Sequence, residues 1–502
     1  MQLDTTTLLA ALVAGILLLG SLYFLLQSPG PARLPLVNAK QPSEIRSIHA
    51  QNRFLFNARK LISDGLAKWP AFNIVTENGI RLILGPQYAT ELRSHQDLSF
   101  GKAIGVDFHA DLPGFEPFRQ GTRAEEITQD VVRMKLTQSL AGLTKPLSEE
   151  TINALETNWT DNPEWHKIPL KTTILQIVAQ LSAKVFIGDS LCRNQNWLRI
   201  TVDYAVDSFL AAEALRLWPS ITRPLIAYFH PRTRKIQGEL KEARRIMAPV
   251  LAQRRAEKQA AAEAGEEPKR YTDALEWMEQ CAKGRPFDAA VAQIGLSLAA
   301  IHTSSDMLTQ VLYDIAQQEG LAEEMRREIV DVIRADGWAK TTLYKLRLMD
   351  SVLKESQRLK PAGIATMRRM AVKDITLSDG TVIPKSAITF VSVERQWDAA
   401  VYEDPLTFNP YRYLRLRDQP GHETSSQLVA PSVEHMGFGF GRHACPGRFF
   451  AANEIKIALC HILLEYDLRL VEGKDPKPFG LGMALGADPM AEVEIRRREA
   501  EI

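Results

Sequence analysis

Phe438-Gly439-Phe440-Gly441-Arg442-His443-Ala444-Cys445-Pro446-Gly447 sets one thiol in a glycine-rich loop, with the helical run Arg448 to Asp467 directly behind it. Glycine lets a backbone bend tightly and approach a large flat ligand. The free N–H groups at a helix start favour negative charge, so Cys445 is expected to be held as a thiolate. A thiolate so framed suits an oxygen-activating iron site, because sulfur pushes electron density onto the metal. Two plainer readings compete. A lone cysteine is most often a small buried hydrophobe. A zinc site using His443, Cys460 and His461 would need a paired or repeated ligand spacing, which this chain lacks. Cys460 and His461 fall in an apolar run (Ile457, Leu459, Ile462, Leu463) and are expected in the core. No comparable glycine and arginine frame surrounds Cys192, Cys281 or Cys460.

The chain has 502 residues, enough for a large core, and a net charge of +1 with acids and bases intermixed. Such a balance points away from nucleic acid. Four cysteines without paired spacing fit a reducing compartment. Leu8 to Leu26 is an uncharged run of 19 residues, long enough to span a bilayer. A cleaved signal would have an apolar core of about 7–15 residues behind basic residues. Here Asp4 precedes the run, and the first bases (Arg33, Lys40, Arg46) follow it. The expected organisation is a short lumenal terminus at 1–7, a transmembrane helix at 8–26, a proline-rich hinge at 27–49, and a body at 50–502. The positive-inside rule puts that body in the cytosol.

The body reads as mostly helical. Apolar residues recur at three- and four-residue spacing over 126–142, 170–187, 289–318 and 341–359. Strand-like runs are short: Phe72–Glu77, Arg81–Leu84, Ile375–Ile383 and Ala387–Val393, with Gly380 at a hairpin turn. Arg254 to Arg270, rich in Ala, Glu and Lys, reads as an exposed connection between helices. The chain carries neither a dinucleotide fingerprint nor a phosphate loop, so electrons must come from another protein.

Glu355 and Arg358 are three apart on a helical pattern and share a face. Such pairs are usually solvated and worth under about 1 kcal/mol. Here Leu353, Leu359 and Pro361 suggest burial, which demands further partners. Phe408-Asn409-Pro410-Tyr411-Arg412 offers a second guanidinium, giving a Glu355–Arg358–Arg412 cluster that would lock the helix to the loop ahead of Cys445.

Taken together, helical ExxR, FxPxR and FxxGxHxCxG resemble, in order and spacing, the cytochrome P-450 superfamily of haem-thiolate monooxygenases. The wording KESQRLKP (354–361) and GRHACPGR (441–448) is similar to that of fungal membrane-bound members oxidising terpenoids and other secondary metabolites. The resemblance implies a single large mainly α haem-thiolate fold with small β-sheets, preceded by the transmembrane helix. It implies haem b, with Cys445 as the iron's axial ligand, Phe438 packed beside the sulfur, and amides around Gly447 tuning it. His443 and Arg368 become partners of the haem propionates, with Arg369 as fallback and a third from Arg133 or Lys135.

The same resemblance places Ala299 and Ala300 where small residues leave room for oxygen, and makes Thr303 the hydroxyl steering protons to it. His302 stands where many members carry an acid. It is expected either to relay protons, oriented by Asp306 one turn on, or to point away and pack. Substrate-facing expectations by family position are Phe108, His109, Phe209, Leu210, Leu298, Ala299, Ile364, Ala365, Thr366, and Met483 to Leu485.

The implied reaction hydroxylates or otherwise oxidises an apolar small molecule with O2, using NADPH electrons through a flavoprotein reductase, with cytochrome b5 as a second candidate donor. The implied location is the endoplasmic reticulum membrane. Rival readings are a haem-thiolate isomerase or dehydratase needing no external electrons, and a non-enzymatic haem sensor or carrier.

Overall fold

The computed structural model describes residues 34–44, 47–120 and 127–501. The expected span 8–26 and Pro29 to Pro31 lie outside the described residues. No described helix is long and apolar enough to cross a membrane. The folded body reaches ahead of residue 50: Leu36–Val37 pairs in parallel with Asn73 and Ile74, and the first described helix starts at Ile48.

Helices dominate, as the three- and four-residue periodicity requires. Two long ones organise the core. Ala289–Gln317, the distal helix, is capped by Asp288, whose side chain accepts from the Val291 amide at 3.1 Å. Arg448–Glu465, the cysteine helix, is almost wholly buried from Phe450 onward. Both contribute to one core cluster with Leu170–Phe186 and Thr137–Trp159. The periodic run at 341–359 forms two helices, Lys340–Lys345 and Arg347–Leu359, broken at Leu346. Glu328 of a neighbouring helix accepts from the Leu348 and Met349 amides at 2.7 and 3.0 Å, and so caps the second.

The largest sheet has six strands in the spatial order Leu36–Val37, Ala71–Thr76, Gly79–Leu84, Ile388–Ser392, Ala365–Ala371, Leu98–Ser99. Gly380, at φ 86°, turns the expected hairpin. The strand Ala365–Ala371 carries a bulge: Thr366 pairs with Val391 and Arg369 with Thr389, so three steps on one strand match two on the other. Met367 takes φ 54° there. A second hairpin, Phe479–Leu481 with Ala484–Gly486, lies against the start of that strand through Ile364 N–H to Met483 O at 2.9 Å.

The expected connection at Arg254–Arg270 is a correction. Helix Pro231–Ala264 runs through most of it. Ala, Glu, Gln, Lys and Arg are strong helix formers, and exposure alone does not unwind them. Arg254 is buried and forked onto Asp273, and Lys258 reaches Glu276 and Glu279, so the segment is anchored.

Candidate functional site

The cysteine loop turns on two glycines in the left-handed region. Gly439 and Gly441 hold φ of 71° and 76°, and a Cβ on Gly441 would strike the Arg93 carbonyl. The turn closes by Cys445 N–H to Phe438 O at 2.8 Å and Arg442 N–H to Arg93 O at 2.8 Å. Phe438 packs on the main core. The backbone amides of Gly447 and Arg448 point at the Cys445 sulfur. Both favour the thiolate, yet burial outweighs them and leaves the thiol pKa above its ordinary value. The expectation of a thiolate made by the helix start alone is therefore corrected. This sulfur is a prepared anion site that needs a bound cation to complete it.

Behind the loop lies the cluster read at Glu355. Glu355 and Arg358 are fully buried. Glu355 accepts from Arg358 Nε at 2.8 Å and Nη2 at 2.9 Å, from Arg412 Nε at 3.1 Å, and from the Asn409 amide at 3.2 Å. Arg358 Nη1 also donates to the Gln396 and Pro405 carbonyls. Every charged atom is thus satisfied, which a buried pair requires. Gln396, unforeseen in the sequence, extends the cluster to the loop: its Oε1 accepts from the Met436 amide at 3.0 Å, and Met436 O accepts from Gly439 N.

A second tie was likewise unforeseen. Lys354 donates to three carbonyls, of Ser425, Gln427 and Ala430, at 2.8–3.0 Å. His435 Nε2 donates to Lys354 O at 3.1 Å. Burial first, then the Lys354 charge, pushes the His435 pKa from 6.5 down to about 3. Because the folded value lies below the unfolded one, this histidine's contribution is complete above pH 6.5 and is lost as pH falls toward about 3. Melting temperature should fall across that window, and His435→Gln should flatten part of the slope.

The basic residues sort by strand geometry. Side chains two apart share a face of a strand. The bulge inserts one residue, so Arg369 rather than Arg368 joins the Thr366 side, where Thr366 Oγ1 approaches Gly439. Arg369 acts on His443, as do Arg442 and Arg133; with burial as the first cause, they push that imidazole down to about 4. Among the described residues, each charge acting on His443 is a guanidinium. Burial alone lowers Arg369 to about 10. Arg368, the first choice for a propionate partner, instead faces Asp107 at 3.3 Å, and the fallback Arg369 is the one that acts on His443. Lys135 lies toward Cys281 on another helix, so of the two residues in the 131–136 turn only Arg133 faces the loop.

On the distal helix, Ala299 and Thr303 are accessible while their neighbours Ile301 and Ser304 are buried. Thr303 Oγ1 donates to the Ala299 and Ala300 carbonyls, at 3.0 and 3.2 Å. Ser304, one residue on, meets Glu454 of the cysteine helix; Glu454 also accepts from Ser182 at 2.7 Å, and burial pushes it up to about 8.

The His302–Asp306 relay is contradicted. His302 Nε2 donates to the Val202 carbonyl at 3.0 Å, tying the distal helix to Gln195–Arg216. Asp306 is occupied by Lys171 at 3.0 Å, Gln310 at 2.7 Å and the Ala487 amide at 2.8 Å. Residues i and i+4 share a face, but both side chains have better partners off the helix.

Of the substrate-facing set, Phe108 stacks on Phe118 (4.3 Å) and meets Phe209 edge-on (4.7 Å), while Leu298 packs against the same cluster. Phe209 and Leu210 are both exposed. His109 follows in a left-handed turn at φ 49°. Ile364 and Ala365 are buried, with Met483 against them.

Against known proteins, the family model described as Cytochrome P450 matches residues 121–490. The cytochrome P450 monooxygenase adrA of Penicillium rubens is 49% identical, with 100% of each chain covered. The cytochrome P450 monooxygenase trt6 of Aspergillus terreus is 46% identical, covering 91% of this chain and 93% of its own. Among solved structures, cyanobacterial CYP120A1 with retinoic acid bound superposes with a TM-score of 0.64 at 16% identity, covering 89% of this chain and 96% of that one. That likeness is one of fold.

Proposed function

This chain belongs to the cytochrome P450 family and is a cytochrome P450 monooxygenase, and from that premise we propose which of its residues run the reaction and on what. The family implies a haem-thiolate group, and the site fits one: a buried sulfur with two amides aimed at it, beside three guanidiniums that, among the described residues, are the charges acting on His443. That pairing carries the reading. Cys445 holds the iron, Gly447 and Arg448 hold the sulfur, and Arg369, His443 and Arg133 receive the propionates. When bound, haem supplies activation of O2, one oxygen atom going to the substrate and the other to water, with two electrons from NADPH through a reductase.

The remaining work belongs to side chains. Thr303 Oγ1 lies on the accessible face of the distal helix and holds its proton on the Ala299 and Ala300 carbonyls, from which it would be available to the haem site. Ala299 keeps that face narrow. Phe108, Phe209, Leu298, Ile364 and Met483 orient an apolar substrate and exclude water. Glu454, which burial pushes up to about 8, meets Ser304, the buried residue after Thr303. The substrate is a secondary-metabolite intermediate, terpenoid in class, in keeping with the apolar aromatic lining and the KESQRLKP and GRHACPGR wording. The uncharged run at 8–26 anchors the protein in the endoplasmic reticulum membrane with its body cytosolic.

Hydrogen peroxide released per NADPH tests the proton assignment. Thr303→Ala should raise this leakage severalfold. His302→Ala should leave it unchanged and lower only thermal stability. Equal leakage from both variants would return the relay to His302.

A further inference from the structure

Beside the substrate-facing residues lies a charge cluster that the oxygen chemistry does not use. Asp107, buried at the end of helix Phe100–Asp107, accepts from Arg81 Nη2 at 2.6 Å and lies 3.3 Å from Arg368 Nη1. Its backbone carbonyl accepts from Arg216 Nη2. Three guanidiniums, from two strands and a helix, thus converge on one residue. The carboxylates do not balance them. Arg216 also pairs with Glu213, which is half-exposed. Glu77 is half-buried with its Oε2 unpartnered, and burial raises its pKa. Within ion-pair distance, then, the three guanidiniums have two carboxylates among the described residues, Asp107 and Glu213.

A structural tether from helix to sheet would need one arginine. The second and third add like charge around one residue, and the half-buried Arg368 lies over the Phe390 ring at 5.1 Å. Burial lowers Arg368, and Arg81 and Arg216 act in the same direction, against Asp107 and Glu77. The positive field extends to His109, whose buried Nε2 has no partner; burial, then Arg223 and Arg216, push it to about 4. Apolar surface adjoins the charge directly, since Phe108 follows Asp107 and stacks on Phe118. Arg368 is also only two residues, about 7 Å of strand, beyond Thr366 beside the cysteine loop.

We infer that Arg81, Arg216 and Arg368 form an anion-accepting subsite, and that the substrate is an apolar skeleton bearing a carboxylate. The inference rests on the monooxygenase reading for where the substrate lies. The carboxylate takes up the guanidinium donors that Asp107 leaves unused, in the forked geometry arginine favours.

Equilibrium dialysis of the purified holoenzyme tests this, with fused-ring terpenoid carboxylic acids and their methyl esters as paired probes. The acids should bind about tenfold more tightly than the esters, the worth of one charge-assisted hydrogen bond. Arg368→Gln and Arg81→Gln should bring each pair within about twofold while leaving ester affinity unchanged. Asp107→Asn, which removes the competing carboxylate, should tighten acid binding, a result that a purely structural tether does not give. Haem content verifies that each variant folds. Equal binding of acid and ester, no acid binding across the panel, or a preference surviving both arginine variants would overturn the subsite. Dialysis needs no turnover, so absence of NADPH-dependent product would count against the monooxygenase reading alone.

Discussion

Cys445→Ser is expected to abolish NADPH-dependent oxidation while leaving most of the fold in place. The sulfur is held by the Gly447 and Arg448 amides, and a serine oxygen can still accept those bonds. What is lost is the soft, electron-donating ligand, and with it the push that breaks the O–O bond. Far-ultraviolet circular dichroism should therefore change little, whereas the reduced, carbon monoxide-bound spectrum should lose its thiolate character. Retention of turnover by the serine variant would show that another residue holds the iron. The remaining cysteines are poor substitutes: Cys192, Cys281 and Cys460 are buried in the core, outside the glycine-rich loop.

Glu355→Gln should be nearly as damaging, through stability rather than chemistry. Glu355 accepts four hydrogen bonds from Arg358, Arg412 and Asn409, and it and Arg358 are fully buried. Removing its charge strands Arg358 without a counterion, at a cost of about 3–5 kcal/mol. A domain's whole stability is about 5–15 kcal/mol, so a large unfolded fraction follows. The damage should reach the cysteine loop, because Arg358 holds Gln396, and Gln396 holds Met436 ahead of Gly439. The expected result is low haem content and a melting temperature lowered by several degrees. Arg358→Lys should behave similarly, since lysine cannot fork onto the carboxylate and also reach the Gln396 and Pro405 carbonyls. Normal haem loading in either variant would contradict this account of how the loop is held.

How much was legible in the sequence depended on the distance over which each feature is determined. The glycines at 439 and 441, the Glu355–Arg358 spacing and the helix at 289–317 follow from local geometry, and each appears in the fold at its expected place. Arg412 also joins them, because its motif arrives as a unit with Asn409. Misplacements arose where a tertiary partner or an irregularity decides. Arg368 and Arg369 differ only through a bulge at Met367, which strand alternation cannot anticipate. His302 and Asp306 share a helical face, but the Val202 carbonyl and Lys171 lie far away in sequence and draw them apart. Thiolate character at Cys445 was expected from the helix start, and burial reverses its sign until a metal is bound. Gln396 and Lys354 carried no local signal; each acts through carbonyls or amides brought to it by the loop between residues 396 and 436.

X-ray absorption at the iron edge of the purified ferric protein tests the central claim most directly. A single sulfur scatterer at bonding distance in the native protein, absent in Cys445→Ser, is the predicted result. A shell of nitrogen and oxygen alone in the native protein would contradict it.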